Sequence, residues 1–150
     1  MKAAFTMIEL IFVIVVLGII TAVALPRFLS VGYNAHEANL IAFVRTLNRT
    51  TGEDLWGKSI SEGKKGSIKN LAPVEDADFL SKYIDIPIEI NRSSIDLTKC
   101  GTNEYKTVMV ADPRITGGEY NISCKDGTPI SAPYFRLKRL RDGKILVSRD

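Results

Sequence analysis

One carboxylate stands inside an apolar stretch near the beginning of the chain, and its chemistry needs an explanation. Glu9 lies within the run from Phe5 to Leu25, which as a helix spans about 31 Å and matches the hydrocarbon core of a bilayer. A carboxylate on a membrane helix costs about 2.5 kcal/mol at the bilayer centre and less near its edge. Glu9 therefore either reaches the headgroups from the first turn, near the positive end of the helix dipole, or has a cationic partner.

The other reactive side chains form no catalytic pattern. The sequence has no phosphate-binding Gly-Lys loop, no G-x-S-x-G, no H-E-x-x-H and no C-x-x-C. The one histidine, His36, is predicted to lie on a helix surface, and two cysteines with a distant histidine are a poor zinc site. No loop has convincing calcium-ligand spacing, which leaves calcium binding open. We predict a protein that is not an enzyme and has no cofactor, and we assign no metal ligands.

An ordinary secretory signal peptide fits the apolar run less well than a membrane anchor does. The run is longer than the usual 7 to 15 apolar residues, and only Met1 to Ala4 precede it. The small residues at 21–24 do resemble the A-x-A cleavage site of a secretory signal peptide. A plain single-pass anchor is the stronger competing interpretation.

The first 30 or so residues resemble the N-terminal segment of type IV pilins and type II secretion pseudopilins. The resemblance rests on Lys2, on the residues AFTMIEL at 4–10, and on a long apolar run interrupted by one glycine and one proline. It implies that a prepilin peptidase cuts between Ala4 and Phe5 and that Phe5 is then N-methylated. The family usually has Gly before the cut, and alanine is the next smallest side chain.

The resemblance also implies a partner for the carboxylate. After the cut, Glu9 is the fifth residue of the mature chain, which is where the family keeps its acid. Its charge would neutralise the α-amine of Phe5 on a packed neighbouring subunit, where the dielectric constant is low. A subunit added at the wrong offset would leave both charges unpaired, so the pair would set the register of assembly.

Two residues of the apolar run weaken its helix. Pro26 removes a backbone donor, and Gly18 costs about 1 kcal/mol relative to alanine. Many membrane helices tolerate both residues without consequence. The resemblance implies instead that this segment lets the subunit change shape between bilayer and filament.

The function implied is that of a structural subunit of a type IV pilus, a type II secretion pseudopilus or a transformation pseudopilus. Its partners would be other copies of itself, other pilins or pseudopilins, the prepilin peptidase, the inner-membrane assembly platform and inner-membrane lipid. The N-terminus, with Lys2, would be cytoplasmic and the C-terminal domain periplasmic, in a bacterial inner membrane and then in the filament. The alternative is a membrane-anchored periplasmic binding domain that never polymerises, with DNA as one ligand to consider.

The remainder of the chain is long enough for one modest domain. About 120 residues follow the apolar run in a chain of 150 that is 45% hydrophobic and 25% charged. The formal net charge of +3 does not by itself indicate nucleic-acid binding. We predict a leader at 1–4, a transmembrane and assembly half-helix at 5–26, and a periplasmic domain at 27–150.

Helical spacing continues from Arg27 to Trp56. The predicted buried stripe consists of Val31, Ala35, Ala38, Ile41, Ala42, Val44, Arg45 and Leu47, whereas Asn34, Glu37 and Arg49 are predicted to face outward. A flexible loop is predicted for Gly57 to Gly66. A short helix is predicted from Phe79 to Tyr83, starting near Asp76 or Asp78.

The last third of the chain has the composition of an antiparallel sheet. Strands are predicted at Tyr105–Val110, Glu119–Cys124 and Tyr134–Leu140, and a fourth at Lys144–Ser148 follows an Asp-Gly turn. The predicted fold class is α+β, with a long N-terminal helix packed on a small C-terminal antiparallel sheet. The resemblance implies the same fold.

The predicted periplasmic location favours a disulfide between Cys100 and Cys124, because that compartment is oxidising. Two free thiols are the alternative. Asn91 and Asn121 each stand in an acid-x-Asn-x-Ser pattern that resembles an extended bacterial glycosylation signal, although chance occurrence is the preferred explanation.

Four of the six residues at 136–141 are basic. The preferred explanation is a solvated edge strand protected by charge. The alternative is contact with the phosphates of DNA.

Overall fold

The structure is a computed structural model that describes residues 5–71 and 76–148. Its contacts divide the chain into two units, Met1–Ala35 and His36–Asp150. The first helix, α1, extends from Met7 to Thr46 and so contributes to both.

The first unit consists of the apolar part of α1. The helix is unbroken at both Gly18 and Pro26, so a kink or melted turn at these residues stays a prediction for the chain in a bilayer or filament. Its most apolar window of 18 residues has a mean hydropathy of 2.9, and none of that window is buried. The helix is thus long and apolar enough to cross a membrane.

The second unit begins with the last part of α1, whose buried face differs from the predicted stripe. Leu40, Phe43, Val44 and Leu47 are buried, whereas Ala38, Ala42 and Arg45 are exposed. The prediction was therefore wrong for most of the stripe, because it followed a row of alanines. Large side chains bury more apolar area, and the helix turns them toward the core.

A π-helical turn, Leu47–Thr51, joins α1 to α2, which extends from Gly52 to Ser61. The loop predicted from Gly57 is wrong in its first half, because the helix continues to Ser61. Ser59 in this last part of the helix is buried, and its hydroxyl donates to the Ser67 carbonyl oxygen at 2.8 Å.

Two short α-helices and two 3-10 helices, Arg92–Ser94 and Leu97–Lys99, lie between the main elements. In α3, Ala77–Leu80, the Asp76 carboxylate accepts from the backbone N–H of Asp78, which confirms the predicted start near Asp76. The predicted extent from Phe79 to Tyr83 is wrong, because the helix ends at Leu80 and turns follow. The second, α4, extends from Pro113 to Thr116.

The sheet confirms the four predicted strands. They are β1 Lys106–Val110, β2 Tyr120–Lys125, β3 Tyr134–Arg139 and β4 Ile145–Val147, antiparallel throughout and in the order β1-β2-β3-β4. Gly143, in the turn before β4, has φ +68, a conformation that glycine adopts without strain. The edge-strand explanation for residues 136–141 is wrong, because β3 pairs on both sides.

One face of the sheet and the last part of α1 form a single core. Phe135, Leu137 and Ile122 are 0% exposed and belong to the same buried cluster as Leu40 and Val44. Cys100 and Cys124 form a disulfide in this core, with Cα atoms 4.9 Å apart. The coarse prediction of an α+β fold with a long N-terminal helix and a small antiparallel sheet is confirmed.

Candidate functional site

The start of α1 is closed by a reciprocal pair of side chains. The backbone N–H and the hydroxyl of Thr6 both donate to Glu9 Oε2 at 2.8 Å. The Glu9 backbone N–H donates back to Thr6 Oγ1 at 3.3 Å. Because Met7 is the first helical residue, Thr6 is the N-cap and Glu9 the third residue of the helix, which is the arrangement of a capping box.

The sequence analysis missed Thr6, although its signal was present. A threonine followed three residues later by glutamate, directly before an apolar run, is the pattern of a capping box. The pair adds a local role for Glu9, since it satisfies the free N–H of Thr6. Both Thr6 interactions use Oε2, and no described residue donates to Oε1.

A broad apolar surface follows this cap. Among the large apolar side chains that the structure describes from Phe5 to Val31, all but the half-buried Val16 are exposed; Phe5 is 86% exposed and Phe28 81%. A soluble monomer rarely leaves an apolar patch of such length in water. We therefore expect this surface to contact lipid or another apolar helix.

The predicted residues of this segment are placed as follows. Phe5 is the first described residue, and Ala4, with the predicted cut, lies outside the described residues. Gly18 has nothing within 4 Å of where a Cβ would stand. Glu9, Gly18 and Pro26 all lie on one continuous helix, so the structure brings the assembly residues onto one element without bringing them into contact.

A buried carboxylate of the second unit lies against the last part of α1. The Glu89 side chain is 2% exposed, and its Oε1 lies 2.8 Å from His36 Nδ1 and accepts from Asn39 Nδ2 at 2.9 Å. Burial raises the pKa of Glu89, but the hydrogen bonds from His36 and Asn39 outweigh it and hold that pKa below its usual value of 4.5. His36, predicted as a surface residue, therefore has a structural partner.

The neighbouring residue of α1 holds a second polar cluster. Glu37 Oε2 accepts from Arg139 Nη1 at 2.7 Å and from the Tyr120 hydroxyl at 2.8 Å. Arg139 also binds Asp142 through Nη2 at 2.7 Å, and this hydrogen bond holds the pKa of Asp142 well below its usual range. The outward orientation predicted for Glu37 is wrong, because these partners come from β2 and β3.

The two asparagines of the possible glycosylation signals differ in setting. Asn91 is exposed, and its side-chain oxygen accepts from the backbone N–H and hydroxyl of Ser93. Asn121 is half-buried within β2, opposite Lys138 of β3. Modification of either residue stays a prediction.

No group of three or more His, Cys, Asp or Glu residues that could hold a metal ion occurs within residues 5–71 and 76–148. Comparison with known proteins adds no relative, since no family model, no curated protein and no solved structure matches the chain.

Proposed function

We infer that this chain is a pilin or pseudopilin, a structural subunit that polymerises through its N-terminal helix into a type IV pilus, type II secretion pseudopilus or transformation pseudopilus. The observation that carries the proposal is the unburied apolar surface of α1 with a single carboxylate in its first turn. Such a surface suits two successive environments, first the bilayer and then the apolar core of a helical filament.

The geometry of Glu9 supports assembly over simple anchoring. In a simple anchor the carboxylate would serve only as the helix cap, at a desolvation cost wherever lipid covers it, whereas in a filament it would also pair with a positive charge. In the isolated chain Thr6 occupies only Oε2. Oε1 is thus available for the α-amine that the predicted cut would create at Phe5 of a neighbouring subunit.

This pairing would act mainly on specificity. A buried ion pair often contributes little net stability, yet leaving one partner alone in a low dielectric is costly. Subunits that meet at the correct axial offset would satisfy both charges, and those at a wrong offset would satisfy neither. The pair would therefore select one register among many apolar packings of similar energy.

The proposal places the chain among defined partners. It would be cut and methylated by a prepilin peptidase, held in the bacterial inner membrane with the second unit in the periplasm, and added to the filament at an inner-membrane assembly platform. The disulfide between Cys100 and Cys124 supports the periplasmic location, because disulfides persist in oxidising compartments.

Intact mass measurement with N-terminal sequencing of the membrane-extracted protein tests the proposal. The expected product begins at N-methyl-Phe5 and lacks two hydrogens for the disulfide. A chain that still begins at Met1 would overturn it, and a membrane-anchored periplasmic binding domain would then be the better interpretation. Expressing Ala4→Gly beside the native chain shows whether alanine limits the cut.

A further inference from the structure

A shallow groove runs along one side of the apolar part of α1 and has a cation toward its C-terminal end. The groove has a volume of about 590 Å³. Its lining, here called the Arg27 groove, consists of one cation and six apolar residues: Arg27, Ile19, Ile20, Val23, Ala24, Phe28 and Val31. These positions recur at steps of three and four residues, so they share one face of the helix.

Arg27 is a cation without a partner. Its side chain is exposed and forms no ion pair with any residue that the structure describes. By contrast, Arg114 and Arg139 each bind a carboxylate. A charge on a membrane helix is costly unless an opposite charge meets it. Arg27 therefore needs an anion from outside the chain.

The position of Arg27 along α1 places it at a membrane surface. It lies about 27 Å beyond Glu9 on the unbroken helix, and no other charged residue stands between Phe5 and Ala35. A hydrocarbon core is about 30 Å thick, so with Glu9 at one interface the long side chain of Arg27 reaches the other. The anions at that depth are the phosphates of lipid headgroups.

Aromatic side chains lie at the same level of the helix. Phe28, next to Arg27, is 81% exposed, and Tyr33, about 9 Å further along the axis, is 48% exposed. Tyrosine is enriched where a membrane meets water, because its ring is apolar and its hydroxyl reaches water. The exposure and the residue types therefore both put the membrane surface between Arg27 and Tyr33.

The hydroxyl groups nearest Arg27 are already satisfied within the helix. The Thr21 hydroxyl donates to the Leu17 carbonyl oxygen at 2.7 Å, and the Ser30 hydroxyl donates to the Arg27 carbonyl oxygen at 2.8 Å. The guanidinium is thus the group at this level that still needs a polar partner. Its planar fork of N–H donors matches the oxygen atoms of a phosphate.

A second copy of the chain is the competing occupant, since apolar helices would cover one another in the proposed filament. Between Phe5 and Ala35 its helix carries one carboxylate, Glu9, which the proposed function pairs with the amine of Phe5. A neighbouring α1 would therefore cover the apolar lining and leave Arg27 without an anion. A phospholipid satisfies both parts of the groove, because it joins a phosphate to an acyl chain.

We propose that the Arg27 groove binds one phospholipid of the periplasmic leaflet, with the phosphate on Arg27 and an acyl chain along Ile20, Val23 and Ala24. The bound lipid holds α1 at one depth in the bilayer. It must leave before another helix packs on this face, so its release adds to the cost of extracting a subunit for assembly. The proposal rests on the part of the proposed function that puts α1 across a bilayer, and it does not need the cut after Ala4.

The test is native mass spectrometry of the full chain released from detergent micelles with added phosphatidylglycerol. The native chain should retain one lipid molecule. Arg27→Gln should bind it about tenfold more weakly, because a hydrogen bond between two charged groups is lost. The matched control is Arg45→Gln, which removes an exposed arginine of α1 outside the groove and should bind lipid as the native chain does.

A second pair of variants tests the apolar part of the groove. Ala24→Phe fills the groove and leaves Arg27 in place, whereas Ala22→Phe adds the same side chain at an exposed position outside the lining. The Ala24→Phe variant should lose the lipid, and the Ala22→Phe variant should retain it. Circular dichroism in micelles checks that both variants keep their helix.

Equal lipid retention by the two glutamine variants, equal retention by the two phenylalanine variants, or no lipid on the native chain would overturn the proposal. A dimer of chains that excludes the lipid would overturn it as well, and so would equal retention of diacylglycerol, which has no phosphate. Displacement of the lipid by glycerol phosphate would also overturn it, because a site for the headgroup alone would then explain the data. These results are independent of the filament proposal, whose own test is an N-terminus at Phe5.

Discussion

His36 Nδ1 lies 2.8 Å from Glu89 Oε1, and this contact joins the beginning of the second unit to the loop that precedes β1. The carboxylate is 2% exposed and the imidazole 31%, so water reaches one partner only. Asn39 adds a second donor to the same oxygen. A buried charge is thereby held by two donors from one helix.

We predict that His36→Ala lowers the free energy of unfolding by about 1.5–3 kcal/mol, the range for a hydrogen bond to a charged group. Urea unfolding of the full chain in detergent, followed by the fluorescence of Trp56, measures it. His36→Asn keeps a donor near the position of Nδ1 and should lose less. Equal losses in both variants would show that the hydrogen bond contributes little.

The same carboxylate should make the domain sensitive to acid. Because the pKa of Glu89 in the folded state lies below 4.5, its contribution to stability is present above pH 4.5 and is lost as the pH falls through the folded-state pKa. Below pH 4.5 the free energy of unfolding of the native chain should therefore fall more steeply with decreasing pH than that of Glu89→Gln. An equal pH dependence in the two proteins would show that Glu89 is not the source of the acid sensitivity.

Tyr120→Phe should lower the free energy of unfolding by about 1 kcal/mol, because it removes one hydrogen bond to Glu37. Arg139 still pairs with the Glu37 carboxylate in this variant. Burial, and then the hydrogen bond to Glu37, raise the pKa of Tyr120 above 10.0. Ionised tyrosine is thus disfavoured in the folded state, and stability should fall above pH 10. Ultraviolet titration of the native chain should show a tyrosine that ionises above pH 10, and this signal should be missing from the Tyr120→Phe variant.

Reduction of the disulfide should lower stability by about 3.5 kcal/mol, the chain-entropy value for a loop closed by Cys100 and Cys124, 24 residues apart. Unfolding of the full chain with and without reductant measures this difference. The variant Cys100→Ala/Cys124→Ala provides the control and should be insensitive to reductant. A native chain that is equally insensitive would mean that the thiols are free in solution.

Thr6→Ala should fray the start of α1, because it removes both hydrogen bonds of the Thr6 hydroxyl with Glu9. Loss of such a cap lowers helix stability by about 1 kcal/mol. Amide hydrogen exchange at Met7 to Leu10 in micelles measures the effect. Thr6→Ser retains the hydroxyl and should exchange nearly as slowly as the native chain. Unchanged exchange in Thr6→Ala would show that lipid or detergent, and not the cap, holds the first turn.

Glu9→Leu should abolish filament assembly while leaving membrane insertion intact, because the apolar surface survives and the proposed partner of the Phe5 amine does not. Filaments sheared from cells and counted by electron microscopy measure assembly, and membrane fractionation measures insertion. Retained assembly by Glu9→Leu would argue strongly against the charge pair. Glu9→Asp keeps the charge on a shorter side chain and should assemble better than Glu9→Leu.

Local patterns in the sequence were sufficient for the long helix and the four strands, although not for the end of α2 at Ser61 or for α4. The apolar run at Phe5 to Leu25 and the Asp142-Gly143 turn depend on neighbours within a few residues, and so does the alternation that marks β2 and β3. The capping box was equally local and was readable from Thr6 and Glu9. Hydrophobic periodicity and turn chemistry act over one turn or one strand, which is why these features can be predicted.

Only the tertiary structure decided which polar residues meet. Glu37 lies 102 residues from Arg139 and His36 lies 53 from Glu89, and no periodicity relates positions so far apart. The rotation of α1 was decided in the same way, since burying Leu40 and Phe43 removes more apolar area from water than burying the alanines does. Strand order likewise placed the basic strand β3 inside the sheet, where it pairs with both β2 and β4.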